Sequence, residues 1–265
     1  MAGALTFVVP VKHQTGISDL DGTMARLRET LDSVEVQASS GADAVVVANE
    51  GCPLPTLPPS ASVVRVDLPF RELPPGGPET RAERHRAIQQ DKGSRVLAGL
   101  RWREPPGHVM VLDFDDFVSR HLTDFVSSRP EEPGWYVQTG WAYSGGRWAA
   151  RLRDFHLYCG TSLILHRRLL KEALGEPDPD PGWIRSWLGS HRFVVEHLRG
   201  GPDALAPLPF EAAAYRVGHT DSTSGLSKLS RFFFRPRNLG FHPVRAATAL
   251  GGLRSWERLR EDFGQ

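Results

Sequence analysis

Three aspartates within four residues, Asp113, Asp115 and Asp116 in "HVMVLDFDDFVS", are the side chains of this chain best spaced for chemistry. Carboxylates that close repel one another, and burying them without a counter-charge is costly. A divalent cation removes that cost. Hard oxygen ligands suit Mg2+ or Mn2+, which keep waters and complete their shell with substrate phosphates. The plainer alternative is an acidic loop that caps the following helix, with Asp116 favouring its N-terminal dipole.

A second acidic string, "ISDLDGT" (17–23), spells DxDGT, the nucleophile motif of haloacid-dehalogenase phosphatases. That nucleophile must leave the end of a buried strand, and the preceding "KHQTGIS" is polar and glycine-containing. The string therefore reads as a loop leading into an amphipathic helix, with Asp21 or Thr23 as its N-cap.

The elements that must position the first motif follow from periodicity. "ALTFVVPV" (4–11), "DAVVVAN" (43–49) and "SVVRVDL" (62–68) are short apolar runs rich in β-branched residues and predict buried strands. Met24, Leu27, Leu31 and Val34 recur at helical spacing between the first two. A helix is expected over 81–100, and then the strand "HVMVLDF" (108–114) delivers the acids. Further strands are expected at 135–144 and 158–166, and helices at 167–174 and within 182–200. This alternation predicts an α/β fold with a mainly parallel central sheet flanked by helices. Ligands in such sheets bind at the carboxyl ends of the strands.

The bulk composition is that of a globular chain. Its 265 residues are 40% hydrophobic and 24% charged, with a formal net charge of +1, which gives no reason to expect nucleic acid as a partner. Cys52 and Cys159 lie far apart without metal or disulfide spacing, which favours a reduced, cytoplasmic setting. The apolar run at the start stops at Pro10, too short for a signal peptide, and no run reaches the roughly 20 apolar residues of a membrane span.

Read together, four stretches resemble a family 2 glycosyltransferase with the GT-A (nucleotide-diphospho-sugar transferase) fold. They are "TFVVPVKH" with "RLRETLDSVEVQ", "AVVVANEG", "DKGSRVLAGLRW" leading into "VMVLDFDD", and "YCGTSLILHRRLL". The resemblance spans roughly residues 5 to 200. It implies one GT-A domain over 1–265, with a nucleotide-sugar half (1–118), an acceptor half (119–225) and a basic, aromatic C-terminal extension (226–265). Pro10 and Val11 would line the nucleotide pocket, Asn49 or Glu50 would face the base, and Lys92 and Gly93 would sit near base or ribose. Asp113 would reach the ribose or a metal-bound water. Asp115 would ligate Mn2+ or Mg2+ with Asp116 beside it. His219, with His242 in reserve, would complete the metal shell.

The implied reaction is an inverting displacement that moves a sugar from a UDP- or GDP-sugar to an acceptor hydroxyl of a glycan, a lipid-linked intermediate or a small molecule. A base is required on the acceptor side. No clean match to the family's acid exists, and Asp180 in "GEPDPDPGW" and His191 in "LGSHRFVVEHL" compete for the role. Trp135, Tyr136, Trp141 and Trp148 would border the acceptor cleft or pack in the core. "RFFFRPR" (231–237) reads as an extension packed on the core, or as a peripheral membrane contact. The competing classes are a GT-A domain that binds nucleotide sugar or carbohydrate without transfer, and a nucleotidyltransferase. The latter lacks its glycine- and arginine-rich phosphate loop.

Overall fold

Continuous apolar runs become strands buried on both faces. The computed structural model describes residues 4–75, 77, 79–218 and 252–265. It begins β1 (Leu5–Pro10), α1 (Leu20–Glu35), β2 (Ala42–Asn49), β3 (Ala61–Val66), α2 (Arg81–Trp102) and β4 (His108–Val111). The middle contains β5 (Phe117–Val118), α3 (Leu122–Ser127), β6 (Gly134–Tyr136), β7 (Thr139–Tyr143), β8 (Trp148–Arg153) and β9 (Leu163–His166). Then come α4 (Lys171–Gly175), α5 (Pro181–Trp183) running into one π turn at Ile184–Leu188, and α6 (Val194–Leu198). The chain closes with β10 (Ala206–Pro207), β11 (Ala213–Arg216), β12 (Leu253–Ser255) and α7 (Trp256–Leu259).

Among the described residues the strands form two sheets, ordered β10-β6-β9-β4-β1-β2-β3 and β12-β8-β7-β11-β5. In the first, β1 runs parallel to β2 and β4, and β2 parallel to β3, while β9 is antiparallel to both of its neighbours. The fold is thus α/β, as the alternating pattern predicts. Phe7, Val9, Ala44 and Val46 point into one core with Leu27, Leu31 and Val34 of α1. Val8, Val45 and Val47 point into another with Val96 and Leu100 of α2. Burial on both faces is why these strands read as unbroken hydrophobic runs.

Several boundaries differ from the sequence reading. The cap of α1 is Asp19, two residues before Asp21: its Oδ1 accepts the Gly22 N–H at 2.9 Å. A Cβ on Gly22 would lie 2.0 Å from the Asp19 carboxylate, so the glycine of "DLDGT" is there to admit the cap. The strand expected over 108–114 ends at Val111, which leaves all three acids in a turn. The 135–144 strand is two strands, β6 and β7, one in each sheet. The 158–166 strand begins only at Leu163, and the expected 182–200 helix is broken between α5 and α6. The C-terminal stretch 252–265 packs on the second sheet, where Trp256 stacks on Tyr143 with 3.9 Å between ring centroids. "RFFFRPR" lies outside the described residues.

Trp135 is core, touching His108 and Phe125, and Trp141 belongs to the core of the second sheet. Trp148 is 49% exposed, and Tyr136 meets His156 edge-on. No described helix is long and apolar enough to cross a membrane.

Two glycines set the distance between α2 and the π turn. A Cβ on Gly93 would lie 2.6 Å from the Ile184 carbonyl oxygen, and one on Gly189 would lie 1.9 Å from that of Gln89. Both contacts are backbone, which cannot swing aside. Gly189→Ala is expected to cost about 2 kcal/mol or more and to lower Tm by roughly 4–8 °C in a thermal melt. Gly146→Ala, whose Cβ would meet nothing within 4 Å, is expected to leave Tm nearly unchanged.

Candidate functional site

The acidic turn sits at the carboxyl end of β4, beside the ends of β1 and β2, where a parallel sheet presents its ligand site. Its backbone is tied from two sides. The Leu112 N–H still donates to Val8 O at 2.9 Å, and the Asp116 N–H donates to Asp113 O at 3.1 Å, which closes the turn. From α1, the Thr30 hydroxyl donates to Phe114 O at 2.9 Å, and Ser33 Oγ accepts the Val118 N–H at 3.2 Å. Gln37 Oε1 accepts both the N–H and the hydroxyl of Thr123 at the start of α3. Thr30 and Ser33 on α1, with Gln37 just past its C-terminal cap, form a buried polar stripe that grips the chain leaving the acids.

The other grip comes from the loop before β9. Thr161 Oγ1 accepts the Asp113 N–H at 2.9 Å and donates to Asp116 Oδ2 at 2.7 Å. Cys159 Sγ also donates to that oxygen at 3.1 Å, and the Arg216 N–H donates to Asp116 Oδ1 at 3.0 Å. Asp116 is therefore fully buried with both oxygens occupied. Burial, then the charges of Asp115 and Asp113, raise its pKa well above the ordinary carboxylate value against the pull of Thr161 and Cys159. Burial and the charge of Asp116 likewise push the Cys159 thiol up, so it serves as a neutral donor.

Asp113 has a cationic partner. Lys92 Nζ of α2 meets Asp113 Oδ1 at 2.5 Å. Burial pulls the lysine pKa down, but the charge and hydrogen bond of Asp113 outweigh it, with help from Cys159 and Asp116, and the net direction is upward. The ammonium is thus held charged. Gly160 lies against this pair: a Cβ there would come within 2.4 Å of Asp113 Oδ2 and 2.5 Å of Lys92 Nζ. Asp115, 9% exposed, completes the turn.

The residues expected around a base or ribose fare differently. Pro10 ends β1 and Val11 follows it, but Val11 is core, and its N–H continues the ladder to Val47 O. Asn49 is turned inward: its Nδ2 donates to Leu68 O at 2.7 Å, and its Oδ1 accepts from Arg95 NH1 at 2.6 Å. Arg95, 1% exposed, also holds both oxygens of Asp91, at 2.9 and 3.0 Å. This buried Asn49–Arg95–Asp91 network ties the end of β2 to α2 and leaves no side-chain atom of Asn49 for a base. Glu50 is exposed, and its carbonyl accepts from Gln14 Nε2 at 3.1 Å. Gly93 is a packing glycine, as described above.

The two candidate bases are both engaged elsewhere. Asp180 is exposed and caps α5, its Oδ1 accepting the Trp183 N–H at 2.8 Å. His191 borders a cavity of about 20 Å³, with room for one water, together with Lys92, Gly160 and Ser190. The Leu157 backbone hydrogen-bonds its ring, while buried Nε2 has no partner among the described residues. Burial, then the Lys92 charge, lowers its pKa to about 3. His219 and His242 lie outside the described residues.

The described residues do not by themselves make a divalent-metal centre. Asp116 is occupied, Asp113 is paired with Lys92, and no described group of three or more His, Cys, Asp or Glu is placed to hold an ion. Comparison of the chain with protein-family models and with curated proteins finds no match.

Sequence reasoning assigned no role to Thr161, Cys159, Gly160 or Arg216. Small polar residues just before a strand that faces the acids were the available signal. Arg216 also pairs with Glu29 at 2.7 Å and lies 4.2 Å over the Phe117 ring.

The buried histidine gives a pH dependence. Its folded pKa lies below the unfolded value, so the unfolded state binds the extra proton, and stability is lost as pH falls from about 6.5 toward 3. Between pH 7 and pH 5 this histidine is expected to remove about 2 kcal/mol. In chemical denaturation, His191→Gln is expected to flatten that part of the profile, leaving the smaller same-sign slopes of His85, His108, His156 and His166 and the opposite-sign slope of Asp116, whose raised pKa makes the folded state bind the extra proton.

Proposed function

We propose that the protein is a glycosyltransferase of GT-A type that moves a sugar from a nucleotide-sugar donor to an acceptor hydroxyl with inversion. The observation that carries the reading is the acidic turn Asp113-Phe114-Asp115-Asp116 at the carboxyl edge of a β3-β2-β1-β4 parallel sheet, with the Lys92 ammonium against it. The antiparallel β9 beyond β4, and the second sheet at the far end of the turn, are compatible with that fold. The strands of the four resembling stretches are neighbours in the first sheet, in the order β9-β4-β1-β2.

In this reading the residues divide the work. Asp116 and Thr161 are framework, and they hold the turn in shape. Asp113 and Lys92 present a polar, charged face to the donor, with Lys92 placed to stabilise charge that develops on the departing diphosphate. Asp115, only 9% exposed, meets the donor or its counter-ion with the small part of its surface that reaches solvent. A metal carried in by the donor would be held by Asp115 and would add charge stabilisation. The acceptor proton leaves through a group that neither Asp180 nor His191 supplies as placed: the one caps a helix, and the other is too weak a base at about pKa 3. The setting is cytoplasmic, with at most peripheral membrane contact, and the acceptor is a glycan, a lipid-linked intermediate or a small molecule.

The engaged state of both candidate bases favours a second reading, a domain that binds nucleotide sugar without transferring it. Incubation with UDP- and GDP-sugars, followed by detection of released nucleotide and of hydrolysed or transferred sugar, separates the two. The transferase is expected to turn over, with Asp115→Asn lowering kcat at least about a hundredfold. Gly160→Ala, which drives a methyl between Asp113 and Lys92, is expected to lower it about tenfold without a matching loss of fold by circular dichroism. Donor binding without turnover would favour the binding domain.

A further inference from the structure

The outward face of α2 forms the floor of a groove of about 680 Å³, walled by Leu68, Pro69 and Arg71 after β3 and by Pro181 and Arg185 of the α5 segment. At about 100° per residue, Gln90 and Ser94 on its floor lie roughly 160° around α2 from Lys92. The groove is therefore a different place from the acidic turn, which α2 faces with its opposite side. Its volume falls within the range of about 300–1,000 Å³ that small organic ligands occupy.

The charge of the groove is one-sided. Arg71, Arg86 and Arg185 border it, and among the described residues none of the three is paired with a carboxylate. Two acids line it, and one of them, Asp91, is already held by Arg95 through both oxygens. Glu83 remains against three guanidinium groups. Arg185 is steadied at one nitrogen by Gln90 Oε1 at 3.2 Å, which leaves its other donors for a ligand. Arg81 and Arg84 extend the basic character along the first turns of α2, where cations oppose the helix dipole and so gain the helix nothing.

Guanidinium forks pair bidentately with carboxylate, sulfate or phosphate. A bare inorganic anion would leave most of the groove unfilled. Leu68, Pro69, Ala87 and Pro181 offer apolar surface for ring faces, and Ser94, whose Oγ accepts from Gln90 Nε2 at 3.3 Å, keeps its hydroxyl proton to donate to a sugar oxygen. We propose that this groove binds an acidic saccharide, its carboxylates or ester anions meeting Arg71, Arg86 and Arg185. That the saccharide is the acceptor of the transferase rests on the function proposed above; that it binds does not.

The test is calorimetric titration of the full chain with a galacturonic acid tetrasaccharide, its carboxyl-reduced neutral counterpart, inorganic pyrophosphate, and phosphatidylglycerol-containing vesicles. The acidic tetrasaccharide is expected to bind, and the neutral one not. Arg86→Ser and Arg185→Gln are each expected to weaken binding about tenfold, as loss of a charged hydrogen bond does. Raised salt is expected to weaken it further. Equal binding of the neutral sugar, unchanged affinity in both variants, or a preference for pyrophosphate or vesicles would overturn the proposal. The same variants are expected to keep the wild-type response to nucleotides, so loss of saccharide binding with donor binding intact points to this groove alone. Absence of any nucleotide response alongside saccharide binding would instead remove the transferase and leave the groove.

Discussion

Three carboxylates packed into one turn set the terms for the rest of this molecule. Desolvating them is unfavourable, and the fold answers each in a different way. Asp116 goes inside, where a hydroxyl, a thiol and a backbone N–H satisfy its two oxygens. Asp113 faces Lys92, whose ammonium is kept charged by that contact. Asp115, between the two, is itself only 9% exposed. The turn that results is rigid because α1 and the loop before β9 hold its backbone from opposite sides, through Thr30, Ser33 and Thr161.

Helix α2 connects this turn to the rest of the protein. One side brings Lys92 to Asp113 and packs Val96 and Leu100 into the core. A neighbouring side buries Arg95 between Asn49 and Asp91, which fixes the helix to the end of β2. Gly93, meeting Gly189 and Ile184, lets the α5 segment press against the helix closely enough to bring His191 beside Lys92. A long charged helix of low hydrophobicity thus works as a spine because its few buried positions are the ones that carry contacts. Its outer side is left for the basic groove.

Much of the first half was legible in the sequence because parallel strands buried on both faces are uninterrupted apolar runs. β1, β2, β3 and α1 lie close to where periodicity puts them. The second sheet was not legible: β5 has two residues and β12 three, and pairing partners such as β5 and β11 are separated by about a hundred residues. The acidic motif itself was readable from "VMVLDFDD", but the groups that compensate it were not. Thr161, Cys159 and Arg216 stand 43 to 100 positions away from Asp116, and only the topology brings them in. The resemblance puts Asn49, Gly93 and Asp116 at a ligand, yet each is turned to structural work, because a motif gives residue type and spacing but not which way a side chain points.

The central claim is that the acidic turn receives a nucleoside diphosphate. Thermal denaturation of the purified protein with UDP, GDP or dTDP, each with and without Mn2+, tests it most directly. At 100 times its dissociation constant a ligand adds about 2.7 kcal/mol of stability. A rise in Tm with one of these nucleotides, absent in Asp115→Ala, is the result the account predicts. A protein whose Tm is indifferent to all of them would contradict it, and would leave the three aspartates as a structural turn.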